Sequence, residues 1–142
     1  MYLFAIIDLF SRYVVGWSMS NTMSVRWCTD TIEQAIAQHG VPGIINSDQG
    51  SQFTSEVYIN CLEEHRMAIS MDGKGRAIDH VFIERLWRSV KYEHVYLHVS
   101  DEGNHLWKGL HEYFRFYNHQ SLHQSLNNLT PAEVYQTKEI AA

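Results

Sequence analysis

The sequence predicts a mixed α/β fold, and three observations predict it. Two β-prone apolar runs, Tyr2 to Ile7 and Tyr13 to Met19, stand at its start. Helical periodicity then alternates with short strand-like runs up to about Met71. Two longer helical patterns fill much of the second half, and a chain of 142 residues is long enough to bury a core between such layers.

The opening runs flank Asp8-Leu9-Phe10-Ser11-Arg12, a connection short enough to make them an antiparallel hairpin. From about Ser24 to His39, Cys28, Ile32, Ala35 and Ile36 recur at helical spacing, and Gly40 and Pro42 stop that helix. Gly43 to Ser47 reads as a short buried strand ending at Asp48. Thr54 is placed to cap a helix through Cys61 and Leu62, and Met67 to Met71 reads as another strand.

Asp72 to Ala77 has two glycines, two basic residues and no periodicity, which reads as a loop. The helical pattern from about Asp79 to His94 puts Phe82, Ile83, Leu86 and Val90 on one side and Glu84, Arg88 and Lys91 on the other. A last helix starts near Ser100-Asp101 and carries Leu106, Leu110 and Phe114 towards Tyr117.

Composition narrows the classes. At 45% hydrophobic and 19% charged, the chain is globular rather than disordered. It has no apolar run of the roughly 20 residues a membrane span needs, and no signal-peptide pattern, so the expected compartment is the cytoplasm. Cys28 and Cys61 are expected to be two buried thiols. His94 and His98 have i, i+4 spacing, but no further ligands at metal spacing complete a zinc site there.

A formal charge of −5 argues against nucleic-acid binding, yet Gly73 to Lys91 holds five basic residues against two acids. Two acids stand out. Asp48 ends a strand and precedes Gln49-Gly50, and Glu84 lies on the polar side of an apolar helix. Singly, each has a commonplace reading, a turn residue before glycine and a solvated partner of Arg88. Brought together, they would make an oxygen-rich site suited to two Mg²⁺ ions and phosphoryl transfer.

Their context resembles a known family. Ser47-Asp48-Gln49-Gly50-Ser51-Gln52-Phe53-Thr54 is similar to the second-aspartate motif of integrases and insertion-sequence transposases, S-D-x-G-S-x-Y/F-S/T. Thirty-five residues separate Asp48 from Glu84, the spacing of the family's D-D-35-E signature, and Lys91 follows Glu84 by seven. Asp8 to Arg12 resembles the family's D-x-F-S-R hairpin, and Gly16-Trp17 the G-W after it. Tyr117-Asn118, His123, Ser125-Leu126 and Thr130-Pro131-Ala132-Glu133 resemble its closing block. The nearest resemblance is to bacterial transposases of the IS-three family.

The resemblance implies a ribonuclease-H-like mixed sheet flanked by helices, two Mg²⁺ or Mn²⁺ ions, and DNA as partner, both transposon ends and target. It implies end cleavage and strand transfer by a 3′-hydroxyl within a homo-oligomeric complex. Asp48 and Glu84 take metal-ligand roles and Lys91 a DNA-contacting one; helical phase and charge add Arg88, Lys74 and Arg76. Three departures qualify this. The family's first aspartate lies on a strand that would precede Met1, so residues 1–142 read as one N-terminally truncated core lacking its first, central strand. Asp8 is not its equivalent, and its expected role is pairing with Arg12 across the turn. His80 and Ser121 replace an Asn and an Arg. The expected activity of the chain is therefore metal-dependent DNA transposition chemistry, inactive in this fragment. A catalytically dead remnant that binds DNA or another transposase is the alternative.

Overall fold

The computed structural model describes residues 2–22, 24–47, 53–71 and 103–141. Strands β1 (Tyr2–Ile7) and β2 (Val14–Ser20) are followed by helix α1 (Val25–His39), strand β3 (Ile44–Ser47), helix α2 (Glu56–Glu64) and strand β4 (Ala68–Met71). Helix α3 (Gly103–His119), a 3-10 turn (Gln124–Leu126) and helix α4 (Pro131–Ala141) complete the described elements. None of the described helices is long and apolar enough to cross a membrane.

The described strands form two small sheets, β1 with β2 and β3 with β4. The connection Asp8–Tyr13 is too short for a parallel crossover, so β1 and β2 are antiparallel. By contrast, β3 and β4 are parallel, in the register Ile44↔Ala68 to Ser47↔Met71, with α2 as the crossover. No ladder joins the two sheets among the described residues.

The chain divides into two compact units, residues 1–6 with 15–78 and residues 7–14 with 79–142. In the first, Ile32 of α1, Tyr58 and Leu62 of α2, and Met67 form the buried centre. Phe4, Ile6, Ile45 and Ile69 pack on it from the strands. Full burial of side chains of this size is worth about 1.5–3 kcal/mol each, which makes this cluster the main support of the unit. Helix α1 begins where Ser24 Oγ accepts from Trp27 N at 3.2 Å. It ends at Gly40, whose φ of 87° suits a residue without a Cβ. The cap of α2 is Ser55, not Thr54: Ser55 Oγ accepts from Tyr58 N at 3.3 Å. Cys28 and Cys61 are both free and buried, and burial pushes both thiols up.

Gly16 explains one motif in this unit. A Cβ at Gly16 would lie 3.2 Å from Ala35 Cβ and 3.8 Å from the Thr31 carbonyl oxygen. Strand β2 therefore approaches α1 too closely for a larger side chain, and Ser18 and Thr31 hydroxyls meet at 2.6 Å beside it. Gly16→Val is expected to destabilise the chain by about 1–3 kcal/mol through overpacking, measured by urea unfolding, with Ala35→Gly restoring part of the loss. An unchanged midpoint in Gly16→Val would show that the approach is looser than described.

Candidate active site

The residues assigned to chemistry and DNA contact lie outside the described residues: Asp48, Glu84, Lys91, Arg88, Lys74 and Arg76. The same holds for His80, His94, His98, the loop Asp72 to Ala77, the helix expected from Asp79 to His94 and the Ser100-Asp101 cap. The described residues define what flanks Asp48. On one side, Ser47 is the last residue of β3, paired with Met71 of β4. On the other, the Phe53 ring lies 5.2 Å from Tyr58 and 6.1 Å from Phe4. Both flanks of the acid's motif are therefore tied to the buried centre of the first unit, and Phe53 is its aromatic anchor.

The remaining motifs gather in the second unit, around the hairpin tip. Asp8 Oδ2 accepts from Ser11 N at 3.0 Å and from Ser11 Oγ at 2.6 Å. Ser11 Oγ in turn accepts from Tyr13 N at 3.1 Å, and Ser11 is fully buried. Asp8 and Arg12 meet through the backbone, Arg12 N donating to the Asp8 carbonyl at 2.6 Å. Beside this link across the turn, the Asp8 carboxylate accepts from Ser11, and Arg12 Nη1 donates to Ser125 Oγ.

Asn118, buried on α3, holds the tip from the other side. Its Oδ1 accepts from Val14 N at 2.9 Å and its Nδ2 donates to the Val14 carbonyl at 3.1 Å. Tyr13 stacks on Tyr135 of α4 at 4.6 Å between ring centroids. Leu110, Tyr113, Phe114 and Tyr117 line the buried side of α3, and burial pushes the Tyr117 hydroxyl up to about 12 despite the opposing charge of Arg12. Burial, then Arg12, pushes His123 below its ordinary value.

The closing T-P-A-E motif is a capping box. Glu133 N donates to Thr130 Oγ1 at 3.2 Å, and Glu133 Oε1 accepts from Thr130 N at 3.4 Å and from its hydroxyl at 3.1 Å. Pro131 takes the first helical position, where a missing N–H costs nothing. The family resemblance picks out these residues without giving their structural roles. The capping box was readable from Thr, Pro and Glu spacing; the Asn118–Val14 pairing had no local signal.

Two family models, both described as integrase core domain, match residues 1–77 and 65–131. The chain belongs to the integrase core domain family. It is 32% identical over 136 residues to the putative transposase InsK for insertion sequence element IS150 of Escherichia coli K12, covering 94% of this chain and 48% of that protein. It is 36% identical over 95 residues to the transposase InsF for insertion sequence IS3A of the same organism, covering 66% of this chain and 33% of that protein. The chain thus spans about half the length of InsK or less of such relatives.

Among solved structures, the catalytic core domain of BIV integrase superposes with a TM-score of 0.80 at 16% identity, covering 98% of this chain and 88% of that one. The HTLV-2 integrase catalytic core domain in complex with magnesium gives 0.72 at 18% identity, with 93% and 82% covered. These likenesses carry the fold, which is the ribonuclease-H-like mixed α/β fold of integrase cores.

Asn118→Ala leaves a buried N–H and a buried carbonyl of Val14 unpaired, each worth about 1–3 kcal/mol. We expect a clear fall in the denaturant midpoint of unfolding, larger than for Ser125→Ala, which removes a partner of an exposed guanidinium contact. Equal, small effects for both would show that Asn118 does not hold the hairpin tip.

Proposed function

We propose that this chain supplies the catalytic core of an insertion-sequence transposase, acting by metal-dependent phosphoryl transfer in DNA transposition. The observation that carries the reading is the S-D-Q-G-S-Q-F-T motif that begins at the last residue of β3, with thirty-five residues between Asp48 and Glu84, in a chain of the integrase core family. Family membership supports a polynucleotidyl transferase class and a divalent ion as cofactor.

Asp48 and Glu84 offer hard carboxylate oxygens, a donor set that fits Mg²⁺ or Mn²⁺. Two such ions, when bound, polarise the scissile phosphate and favour the attacking oxygen. Lys91, Arg88, Lys74 and Arg76 hold the DNA backbone by its phosphates, giving position rather than sequence. The DNA is that of transposon ends and target, and the working complex is a homo-oligomer, in a bacterial cytoplasm at the nucleoid.

The family pattern needs a third carboxylate, on a strand ahead of the β1–β2 hairpin. Asp8 is the acid of the hairpin itself, and its carboxylate is engaged by Ser11. We therefore assign residues 1–142 two of the three catalytic acids, with little cleavage of their own.

The test is cleavage of insertion-sequence end DNA by the 142-residue chain in Mg²⁺ or Mn²⁺, alongside DNA binding across a salt series. Cleavage near background is expected, with salt-sensitive DNA binding whose log–log slope falls by about 1 in Lys91→Ala. Joining an upstream strand that bears an aspartate should switch cleavage on, and Asp48→Asn or Glu84→Gln should abolish it. Metal-dependent cleavage by the 142 residues alone would overturn the two-acid assignment, and cleavage indifferent to Glu84→Gln would overturn the site.

A further inference from the structure

A second group of ligand-type side chains lies in the first unit and uses none of the residues assigned to phosphoryl transfer. Cys61 and His65 are four residues apart at the end of α2, and so share one side of it. Glu33 comes from α1. Cys61 Sγ donates to Glu33 Oε1 at 3.8 Å, and His65 Nε2 lies 3.9 Å from the same oxygen. The three ligand atoms all fall within 4.8 Å of one another. We propose that Glu33, Cys61 and His65 form a zinc site that links α1 to α2.

Geometry and donor chemistry both favour zinc. With ordinary zinc bond lengths, tetrahedral ligand atoms sit about 3.3–3.6 Å apart, so closing round an ion needs shifts of well under about 1.5 Å. The side chains able to make that shift are the outer ones. His65 and Glu33 have side chains 32% and 53% exposed, whereas Cys61 is buried and anchors the site. His65 is itself placed by the helix end, its N–H donating to the Cys61 carbonyl. A thiolate and an imidazole select a borderline-soft ion over Mg²⁺, and three protein ligands leave a fourth position for water.

The surroundings favour a cation as well. After burial, the causes that push the Cys61 thiol up are the carboxylates of Glu33, Glu64 and Asp30. A divalent ion at the sulfur replaces its proton and turns that repulsion into attraction. Its binding energy then adds to the stability of the unit whose centre is Ile32 and Leu62, on the same two helices.

Cobalt titration of the full chain is the direct test, because a thiolate ligand gives a charge-transfer band that oxygen and nitrogen ligands do not. One equivalent of Co²⁺ should develop that band, Zn²⁺ should displace it, and excess Mg²⁺ should not. Zn²⁺ should also raise the thermal midpoint. Cys61→Ser should abolish the band, whereas Cys28→Ser should leave it intact. Because Cys61 is buried, His65→Ala and Glu33→Gln provide the check on folded protein, each weakening Zn²⁺ binding about tenfold or more. Absence of the band in the parent chain, its persistence in Cys61→Ser, or Zn²⁺ affinity unmoved by both outer substitutions would overturn the proposal.

Discussion

Val14 turns a backbone N–H and a carbonyl towards α3, and one side chain satisfies both. Asn118 can do this because its amide carries a donor and an acceptor side by side, the pair a neighbouring strand would otherwise present. Aspartate would lack the donor and leucine both groups. Around this pairing the hairpin tip is assembled from further polar contacts, Asp8 with Ser11 and Arg12 with Ser125. The hairpin's stem belongs to the first compact unit and its tip to the second, so the loop between β1 and β2 is part of the architecture rather than a free connection.

Elements with local signals were legible in the sequence. Helix α1 falls where periodicity, Ser24 and Gly40 put it, and β1, β3 and β4 lie within a residue of the runs that suggested them. The α2 cap slipped by one residue because Thr54 and Ser55 are equally good acceptors by type, and only the backbone chooses between them. Helix α4 was not foreseen, although Thr130, Pro131 and Glu133 spell its start. The role of Gly16 and the Asn118 pairing depend on residues far away in sequence, Ala35 and Val14, and no window of neighbouring residues contains them. The Glu33–Cys61–His65 group was missed for the same reason: the helical pair is visible, its third member is on another helix. The phosphoryl-transfer site we propose is legible only as a motif and a spacing, and the described residues that flank its motif are Ser47 and Phe53.

This sorts the acids of the family motifs by work. Asp8 and Glu133 accept hydrogen bonds that shape a turn and a helix start. Asp48 and Glu84 are left as the pair for metal, on our proposal. The measurement that separates these roles most directly is Mn²⁺ affinity in Asp8→Asn beside Asp48→Asn. Asparagine keeps the acceptor that Ser11 needs but is a far poorer ligand for a hard ion. Mn²⁺ affinity should stay within about twofold of the parent in Asp8→Asn and fall more than about tenfold in Asp48→Asn. An equal loss in both would contradict the account, making Asp8 a metal ligand and the hairpin tip part of the active site.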